Sequence, residues 1–416
     1  MTAPHLESKP DAAPGAASTT QQPIEELATP VTPTADAAKS TQPSSPSVEY
    51  VIPAAPVDTA PTAAENLSTW WNKSVPRGAR TAMTQFLMAL VVVLIVLPLS
   101  SALGWFGLHN TTPASSNTSN TMSQTTTGMS PSPNAPAHQL YNPAMPPVLQ
   151  GSVVNVNLTT QESVLSIANG IAYKAWTFNG TVPGPIVHVR QGQTVHFTLT
   201  NKDPKMSHSI DFHAAQTAWN VNYQPVAPGA SFSFDWKANI PGAFLYHCGT
   251  PPVMEHMANG MYGAIIVDPA NGWATPAQEF VLVQSEFYTQ RQSDGTYGLS
   301  NAKMMQNAPD FVVFNGYANQ YGHSPLAVKK GQPVRLYVVN AGPSRFSAFH
   351  VIGAIFSDTY MDGNQANRMQ GNQTVTIPPG GAAVMQLTIP DAGTYPFLTH
   401  SFMDATMGAL GQIKAS

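Results

Sequence analysis

The segment IVHVRQGQTVHFTLTN, residues Ile186–Asn201, decides the fold of the larger, C-terminal part of this chain. Apolar and polar side chains alternate along it, and a glycine in its middle marks a turn. Alternation with a period of two residues is typical of a half-buried β-strand and not of a helix. The same pattern returns in LAVKKGQPVRLYVVN, residues Leu326–Asn340. We therefore predict short strands joined by turns at both places.

The two segments are copies of one another. Gly192 and Asn201 of the first copy recur as Gly331 and Asn340 of the second, at the same separation. Further repeated pieces are Phe178-Asn179-Gly180 with Phe314-Asn315-Gly316, and Pro228-Gly229 with Pro379-Gly380. Such a repeat predicts an all-β architecture with two tandem Greek-key β-sandwich domains, at residues 148–270 and 271–416.

The N-terminal part differs in composition. Residues 1–80 are rich in Ala, Pro, Thr and Ser and predict a disordered tail, because they cannot bury enough apolar surface to fold. The uncharged run FLMALVVVLIVLPLSSALGWF, residues Phe86–Phe106, is long enough to span a hydrocarbon core of roughly 30 Å. We predict a transmembrane anchor at 81–107 and a flexible Ser/Thr/Pro linker at 108–147. A cleaved signal peptide is the alternative, since SSALG resembles a cleavage site.

The charge pattern predicts the orientation. Lys73, Arg77 and Arg80 precede the apolar run, which predicts a cytoplasmic tail and β domains on the extracytoplasmic side of the membrane. The net charge is −4 and no basic patch is present, so the sequence does not support nucleic-acid binding.

A first set of candidate metal ligands surrounds the single cysteine. His208, Cys248, His256 and Met261 supply two imidazoles, a thiolate and a thioether. These are the ligand types of a blue-copper electron-transfer site, whereas a thioether is foreign to structural zinc sites. Taken singly, each residue is more often an ordinary core side chain. Together they predict a type 1 copper site.

A second set follows from strand geometry. His247 directly precedes Cys248, and successive residues of a strand point to opposite sides. His213 follows His208 at an odd spacing and is turned away in the same manner. His400, in the second-domain segment equivalent to the Cys248 loop, is the candidate third ligand. Three imidazoles with an open position predict a catalytic type 2 copper that binds a small anion.

Two further residues have roles that the pattern leaves open. Asp211 lies between His208 and His213, where it is either a carboxylate that orients a ligand or a proton donor beside the open metal position. We favour the proton donor. His350 occupies the second-domain position equivalent to Asp211, and the pattern alone predicts a core histidine there.

Four separated blocks of this sequence resemble the copper-containing nitrite reductases. They are HSIDFHAA, YHCGTPPVMEHMANGMYGAIIV, FHVIG and LTHSFMDATMGALG, and the resemblance extends from about residue 148 to residue 416. It implies two cupredoxin domains per subunit, a homotrimer, and two coppers per subunit. It also implies that His400 comes from a neighbouring subunit, that Asp211 and His350 handle protons, and that Ile352 shapes the substrate pocket.

The predicted activity is the one-electron reduction of nitrite to nitric oxide and water. The expected partners are nitrite, an electron donor such as a small cupredoxin or a c-type cytochrome, and the membrane. Two rival functions remain. A two-domain multicopper oxidase would need His-x-His pairs for its trinuclear cluster, and the sequence contains none. A membrane-tethered type 1 copper electron carrier would leave His213, His247 and His400 without a purpose.

Overall fold

The computed structural model describes residues 128–416. The predicted tail and anchor, together with the first part of the predicted linker, lie outside the described residues. Among the residues described, no helix is long and apolar enough to cross a membrane.

Strands dominate the described part of the chain. In chain order they are β1 (Val153–Ala168), β2 (Ile171–Phe178), β3 (Val187–Arg190), β4 (Thr194–Asn201), β5 (Asp211–Phe212), β6 (Ser231–Lys237), β7 (Gly242–His247), β8 (Tyr262–Asp268), β9 (Gln278–Phe287), β10 (Thr289–Arg291), β11 (Tyr297–Leu299), β12 (Phe311–Phe314), β13 (Leu326–Val328), β14 (Pro333–Gly342), β15 (Ser347–Val351), β16 (Phe356–Met361), β17 (Arg368–Asn372), β18 (Thr374–Ile377), β19 (Ala382–Thr388), β20 (Gly393–Thr399) and β21 (Leu410–Ala415). The helices are short: α1 (Trp219–Asn222), α2 (Val253–Ala258), α3 (Asn301–Met305), α4 (Gln320–His323) and α5 (Phe402–Thr406).

The strands form two β-sandwiches. In the first, a sheet of order β10-β11-β2-β1-β4-β6 faces a sheet of order β3-β8-β7-β5. In the second, a sheet of order β12-β9-β14-β19-β16-β17 faces a sheet of order β13-β21-β20-β15-β18. Each sandwich encloses its own apolar core, and the first core contains Phe197, Phe212 and Tyr246. The all-β prediction is confirmed.

The internal repeat is visible in the hydrogen bonds. The Asn201 side-chain amide donates to the carbonyls of Met206 and Val226, and that of Asn340 donates to those of Arg345 and Ile377. The two Asn-Gly turns match as well, since Asn179 and Asn315 both adopt left-handed backbone conformations at φ 54° and φ 53°. The equivalent residues of the two copies therefore make equivalent hydrogen bonds and turns.

A hairpin crosses the predicted domain boundary. Strands β10 and β11 follow the first strand of the second domain, yet β11 pairs with β2 of the first through Tyr297 and Tyr173. An apolar cluster shared by both domains, which includes Tyr262, Val283 and Tyr337, lies between them. One sheet of the first sandwich therefore contains strands from both sides of residue 270.

Residues 128–147, which the sequence assigned to the flexible linker, lie along the folded body. The Ser132 amide donates to the carbonyl of Gly170 in the first domain, and the Val281 amide in the second domain donates to the carbonyl of Pro143. The Tyr141 hydroxyl donates to the carbonyl of Gly184. Because these groups are hydrogen-bonded to both domains, residues 128–147 are part of the folded body and not the flexible linker that the sequence predicted.

Candidate metal centres

The first centre, which we call the thiolate cluster, consists of His208, Cys248, His256 and Met261. The Cys248 sulfur lies 3.3 Å from His256 Nδ1 and 4.0 Å from His208 Nδ1, and the two imidazole nitrogens lie 3.3 Å apart. All four side chains are buried. Three donor atoms of the types that hold copper therefore converge on one small volume.

Backbone hydrogen bonds hold the thiolate cluster in place. The Cys248 amide, just after β7, donates to the Met261 carbonyl, and the Met261 amide donates to the carbonyl of His256 at the end of α2. His208 pairs with Val226 in a backbone bridge that fixes it from the opposite side. Met261 is thereby joined through its backbone to both Cys248 and His256.

Burial prepares the thiolate cluster for a metal. Burial and the neighbouring His208 together lower the pKa of His256 to about 4. Burial also lowers the pKa of His208, against the opposing effect of Asp203. Both imidazoles are therefore neutral near pH 7, as metal ligands must be. Burial raises the pKa of the Cys248 thiol, so a bound metal is what would hold it as thiolate.

Two residues that the sequence analysis passed over contact the thiolate cluster. Asp203 Oδ2 lies 3.1 Å from His208 Nε2, and the Trp176 ring meets the His256 ring edge to face at 4.9 Å. Burial alone would raise the pKa of the Asp203 carboxyl, but hydrogen bonds from His208 and from backbone amides outweigh burial and lower it. Asp203 stands five positions before His208, a spacing that does not by itself predict a contact between them.

The second centre, which we call the imidazole cluster, consists of Asp211, His213 and His247. The Nε2 atoms of His213 and His247 lie 3.1 Å apart, and Asp211 Oδ2 lies 3.7 Å from His247 Nε2. Strands β5 and β7 pair Asp211 with His247, and His213 follows the end of β5. Two imidazoles and a carboxylate thus share one edge of the first domain.

Backbone groups of both domains lie against the two imidazole rings. His247 Nδ1 donates to the Cys248 carbonyl at 2.9 Å, which leaves Nε2 free to bind a metal. Gly380, a second-domain turn residue that the sequence analysis did not connect with this site, lies beside the His213 ring. Desolvation by the surrounding atoms and the neighbouring His247 lower the pKa of His213, which favours the neutral imidazole that metal binding needs.

His350 and His400 lie together in the second domain, away from the imidazole cluster. Their ring centroids are 5.5 Å apart, and His400 also contacts Phe402 at 4.7 Å. His350 Nδ1 donates to the Gln373 carbonyl at 2.6 Å. In a single chain, Asp211 and His350 therefore do not meet, and His400 does not join His213 and His247. We call His350, His400 and the nearby Ile352 the second-domain half-site.

The second domain has its own copy of the thiolate cluster without metal ligands. The Thr399 hydroxyl accepts a hydrogen bond from the Ala348 amide at 2.9 Å, as the Cys248 sulfur accepts one from Ser209 at 3.3 Å. The Thr399 amide donates to the Ala409 carbonyl, as that of Cys248 donates to Met261. The scaffold is conserved between the copies while the ligating side chains are not.

A cavity of about 480 Å³ opens beside the imidazole cluster. Its lining combines His213, Ile240 and Phe244 of the first domain with Asp362 and Gly380 of the second. The cavity is large enough for a small anion and several water molecules, and it reaches one ligand of the cluster directly.

Comparisons with known proteins point to a copper protein. The multicopper oxidase family model matches residues 159–272 and 290–415. The chain is 37% identical over 283 residues to the copper-containing nitrite reductase of Neisseria meningitidis serogroup B, covering 66% of this chain and 72% of that protein. It is 32% identical to the copper-containing nitrite reductase of Pseudomonas chlororaphis, covering 63% and 78%. The structure of a copper nitrite reductase from Nitrosomonas europaea superposes with a TM-score of 0.60 at 40% identity, covering 64% of this chain and 94% of that one.

Proposed function

The chain belongs to the copper-containing nitrite reductases of the multicopper oxidase family, and from that premise we propose how its two clusters divide the work. The enzyme reduces nitrite to nitric oxide. The reaction takes up one electron and two protons, breaks one N–O bond and releases one water molecule. The thiolate cluster would bind the type 1 copper, and the imidazole cluster with His400 would bind the type 2 copper, giving two coppers per subunit.

One observation carries this division: His247 and Cys248 are consecutive residues of different clusters. The Cys248 sulfur faces His256, while His247 Nε2 faces His213. A single peptide unit therefore joins the two ligand sets by covalent bonds. Copper, when bound, would supply one-electron transfer at the thiolate cluster and an open anion-binding position at the imidazole cluster. A carrier with the thiolate cluster alone would need no such connection.

The type 2 ligands are incomplete within one chain, which supports a homotrimer. His213 and His247 lie on the first domain and His400 on the second, so a neighbouring copy would have to supply the third imidazole. Large apolar side chains surround the second-domain half-site at the surface, with Ile352 44%, Ile355 59% and Phe402 54% exposed. A patch of this kind is expected to be covered by another chain. Three head-to-tail contacts of the same type close a ring.

Asp211 and His350 would deliver the protons from the two sides of that interface. Asp211 is half-exposed and close to His247, so a substrate bound at the imidazole cluster would lie within its reach. His350 is oriented by the Gln373 carbonyl through Nδ1, which leaves Nε2 to face the incoming subunit. Ile352, two residues after His350, would limit the size of the substrate pocket.

The expected setting of the enzyme is the extracytoplasmic face of a membrane, held by the N-terminal anchor. The apolar run at Phe86–Phe106 and the basic residues before it support this proposal. The electron donor would be a small cupredoxin or a c-type cytochrome. The absence of His-x-His pairs from the sequence argues against a multicopper oxidase with a trinuclear cluster.

Copper content combined with a nitric oxide assay tests the proposal. We expect two coppers per chain, an intense blue absorption from the Cu–thiolate bond, and nitrite-dependent nitric oxide formation with an artificial reductant. One copper per chain without this activity would identify an electron carrier. Four coppers with oxygen consumption would identify an oxidase.

A further inference from the structure

Asp203 is a buried carboxylate with an unusual number of donors. It lies in the turn between β4 and β5, is 3% exposed, and accepts hydrogen bonds from the backbone amides of Lys205 at 2.7 Å and Met206 at 3.3 Å. Its other oxygen lies 3.1 Å from Nε2 of His208. A carboxylate that accepts from three N–H groups is held in one orientation.

The contact with His208 determines which ring nitrogen can bind a metal. Because Asp203 can only accept, His208 Nε2 carries the proton and Nδ1 bears the lone pair. Nδ1 is the atom that faces His256 Nδ1 and the Cys248 sulfur. The carboxylate also makes Nδ1 of His208 a stronger ligand, because its negative charge stabilises positive charge on the ring and on any bound metal.

The second domain contains an equivalent segment without the carboxylate. The Asp203 amide donates to the Asn201 side chain at 2.9 Å, and the Gly342 amide donates to that of Asn340 at 3.0 Å. Gly342 therefore occupies the position equivalent to Asp203, in the copy where Ser347 replaces His208. Gly342 adopts a left-handed backbone conformation at φ 65° and Asp203 does not, so the two turns close differently. The carboxylate is present only in the copy that contains His208.

We propose that Asp203 is a positioning residue of the type 1 copper site, which fixes the His208 tautomer and lowers the reduction potential of the copper through the His208–Asp203 hydrogen bond. The inference rests on the proposed function, because it takes the thiolate cluster as a copper site. A lower potential favours the oxidised metal and increases the driving force for passing an electron to the imidazole cluster. Asp203 would thus tune electron transfer without touching the metal.

The test is a redox titration of the full copper-loaded enzyme, followed at the blue absorption band. Asp203→Asn keeps the size of the side chain and an oxygen acceptor for the turn but removes the negative charge. We expect the ratio of reduced to oxidised type 1 copper at a fixed applied potential to rise at least tenfold, which corresponds to about 59 mV for one electron. Type 2 copper content should stay unchanged.

Asp235→Asn is the matched control. Asp235 forms an exposed contact of 2.6 Å with His196, on strands β4 and β6 and outside both clusters. The Asp235→Asn substitution removes the same charge from an Asp–His pair, so the redox titration of this variant should coincide with that of the unmodified enzyme. A tautomer measurement on the copper-free protein is a second readout: ¹⁵N chemical shifts of His208 should show Nε2–H before the substitution and a mixture after Asp203→Asn.

The outcomes separate the two proposals. If the unmodified enzyme shows no blue band, the type 1 assignment itself fails. If the blue band is present and Asp203→Asn titrates as Asp235→Asn does, with the His208 tautomer unchanged, Asp203 is an ordinary turn residue and the inference is overturned. If Asp203→Asn does not fold, Asp203→Ser, which keeps a turn acceptor, is titrated in its place against the same criteria.

Discussion

His247 and Cys248 are neighbours in the chain, yet their side chains end in different metal-binding clusters. The Cys248 sulfur lies 3.3 Å from His256 Nδ1, and His247 Nε2 lies 3.1 Å from His213 Nε2. This divergence follows from the alternation of side chains along β7. It means that the two clusters can be perturbed separately by single substitutions, although one peptide unit connects them.

Cys248→Ser tests the thiolate cluster. The substitution preserves the size of the side chain but removes the thiolate, so we expect complete loss of the intense visible band. The type 2 copper should remain bound, because its ligands use no side-chain atom of Cys248 and the Cys248 carbonyl that orients His247 is kept. Absorption spectroscopy and electron paramagnetic resonance measure the two coppers independently. A blue band that survives in the variant would refute the assignment of Cys248.

Asp211→Asn and His350→Ala test proton delivery. Because a positioned proton donor is typically worth a factor of about 10²–10⁴ in rate, each variant should lose turnover by that order. The visible spectrum should be unaffected, since neither residue belongs to the thiolate cluster. Steady-state nitrite reduction at acidic and neutral pH is the measurement. If both variants kept near-normal turnover at acidic pH, Asp211 and His350 would have structural roles only.

His400→Ala tests the interfacial site. We expect a blue trimer that has lost type 2 copper and nitrite reduction. Mixing it with His213→Ala under conditions of subunit exchange should restore activity, because about one quarter of the interfaces then combine an intact first domain with an intact His400. Each variant alone, treated identically, is the control. A fully active monomer in sedimentation would rule out a site shared between chains.

His188 provides a test of how residues 128–147 are held. Its Nδ1 donates to the Pro146 carbonyl at 2.7 Å, and its Nε2 lies 3.1 Å from Asp268. Burial opposes a charge on His188, but Asp268 and the Pro146 carbonyl outweigh it and raise its pKa. The resulting stabilisation is complete below the ordinary histidine pKa of about 6.5 and is lost as the pH rises through the raised value in the folded protein.

His188→Asn should remove that pH dependence. We expect the free energy of unfolding to fall by about 1–3 kcal/mol at acidic pH, the usual cost of leaving a buried polar partner unsatisfied. At alkaline pH the two proteins should differ less. Chemical denaturation at pH 6 and pH 9 measures this, with the exposed His196→Asn as control. If His188→Asn lowered the free energy of unfolding by the same amount at pH 6 and at pH 9, the role of the protonated ring would be contradicted.

Period-two alternation and the copied Asn-Gly and Pro-Gly turns were sufficient to predict two β-sandwich domains. The pattern is clearest along β4, where buried and partly exposed residues alternate, whereas β8 and β14 are buried almost throughout. The ligand types around Cys248 and their placement on strands likewise sufficed to divide the histidines into two sets. Asp203 was not predicted, because nothing in the spacing distinguishes an acidic turn residue from one that faces a ligand.

What the sequence alone determined is therefore the type of each element and the chemistry of each side chain, both of which depend on near neighbours in the chain. The tertiary structure decided which distant elements meet. It brought the hairpin of β10 and β11 onto the first domain, laid residues 128–147 along both domains, and set Gly380 against His213. It also separated His400 from His213 and His247. Contacts between residues far apart in sequence depend on how whole sheets pack, and a short stretch of sequence does not contain that information.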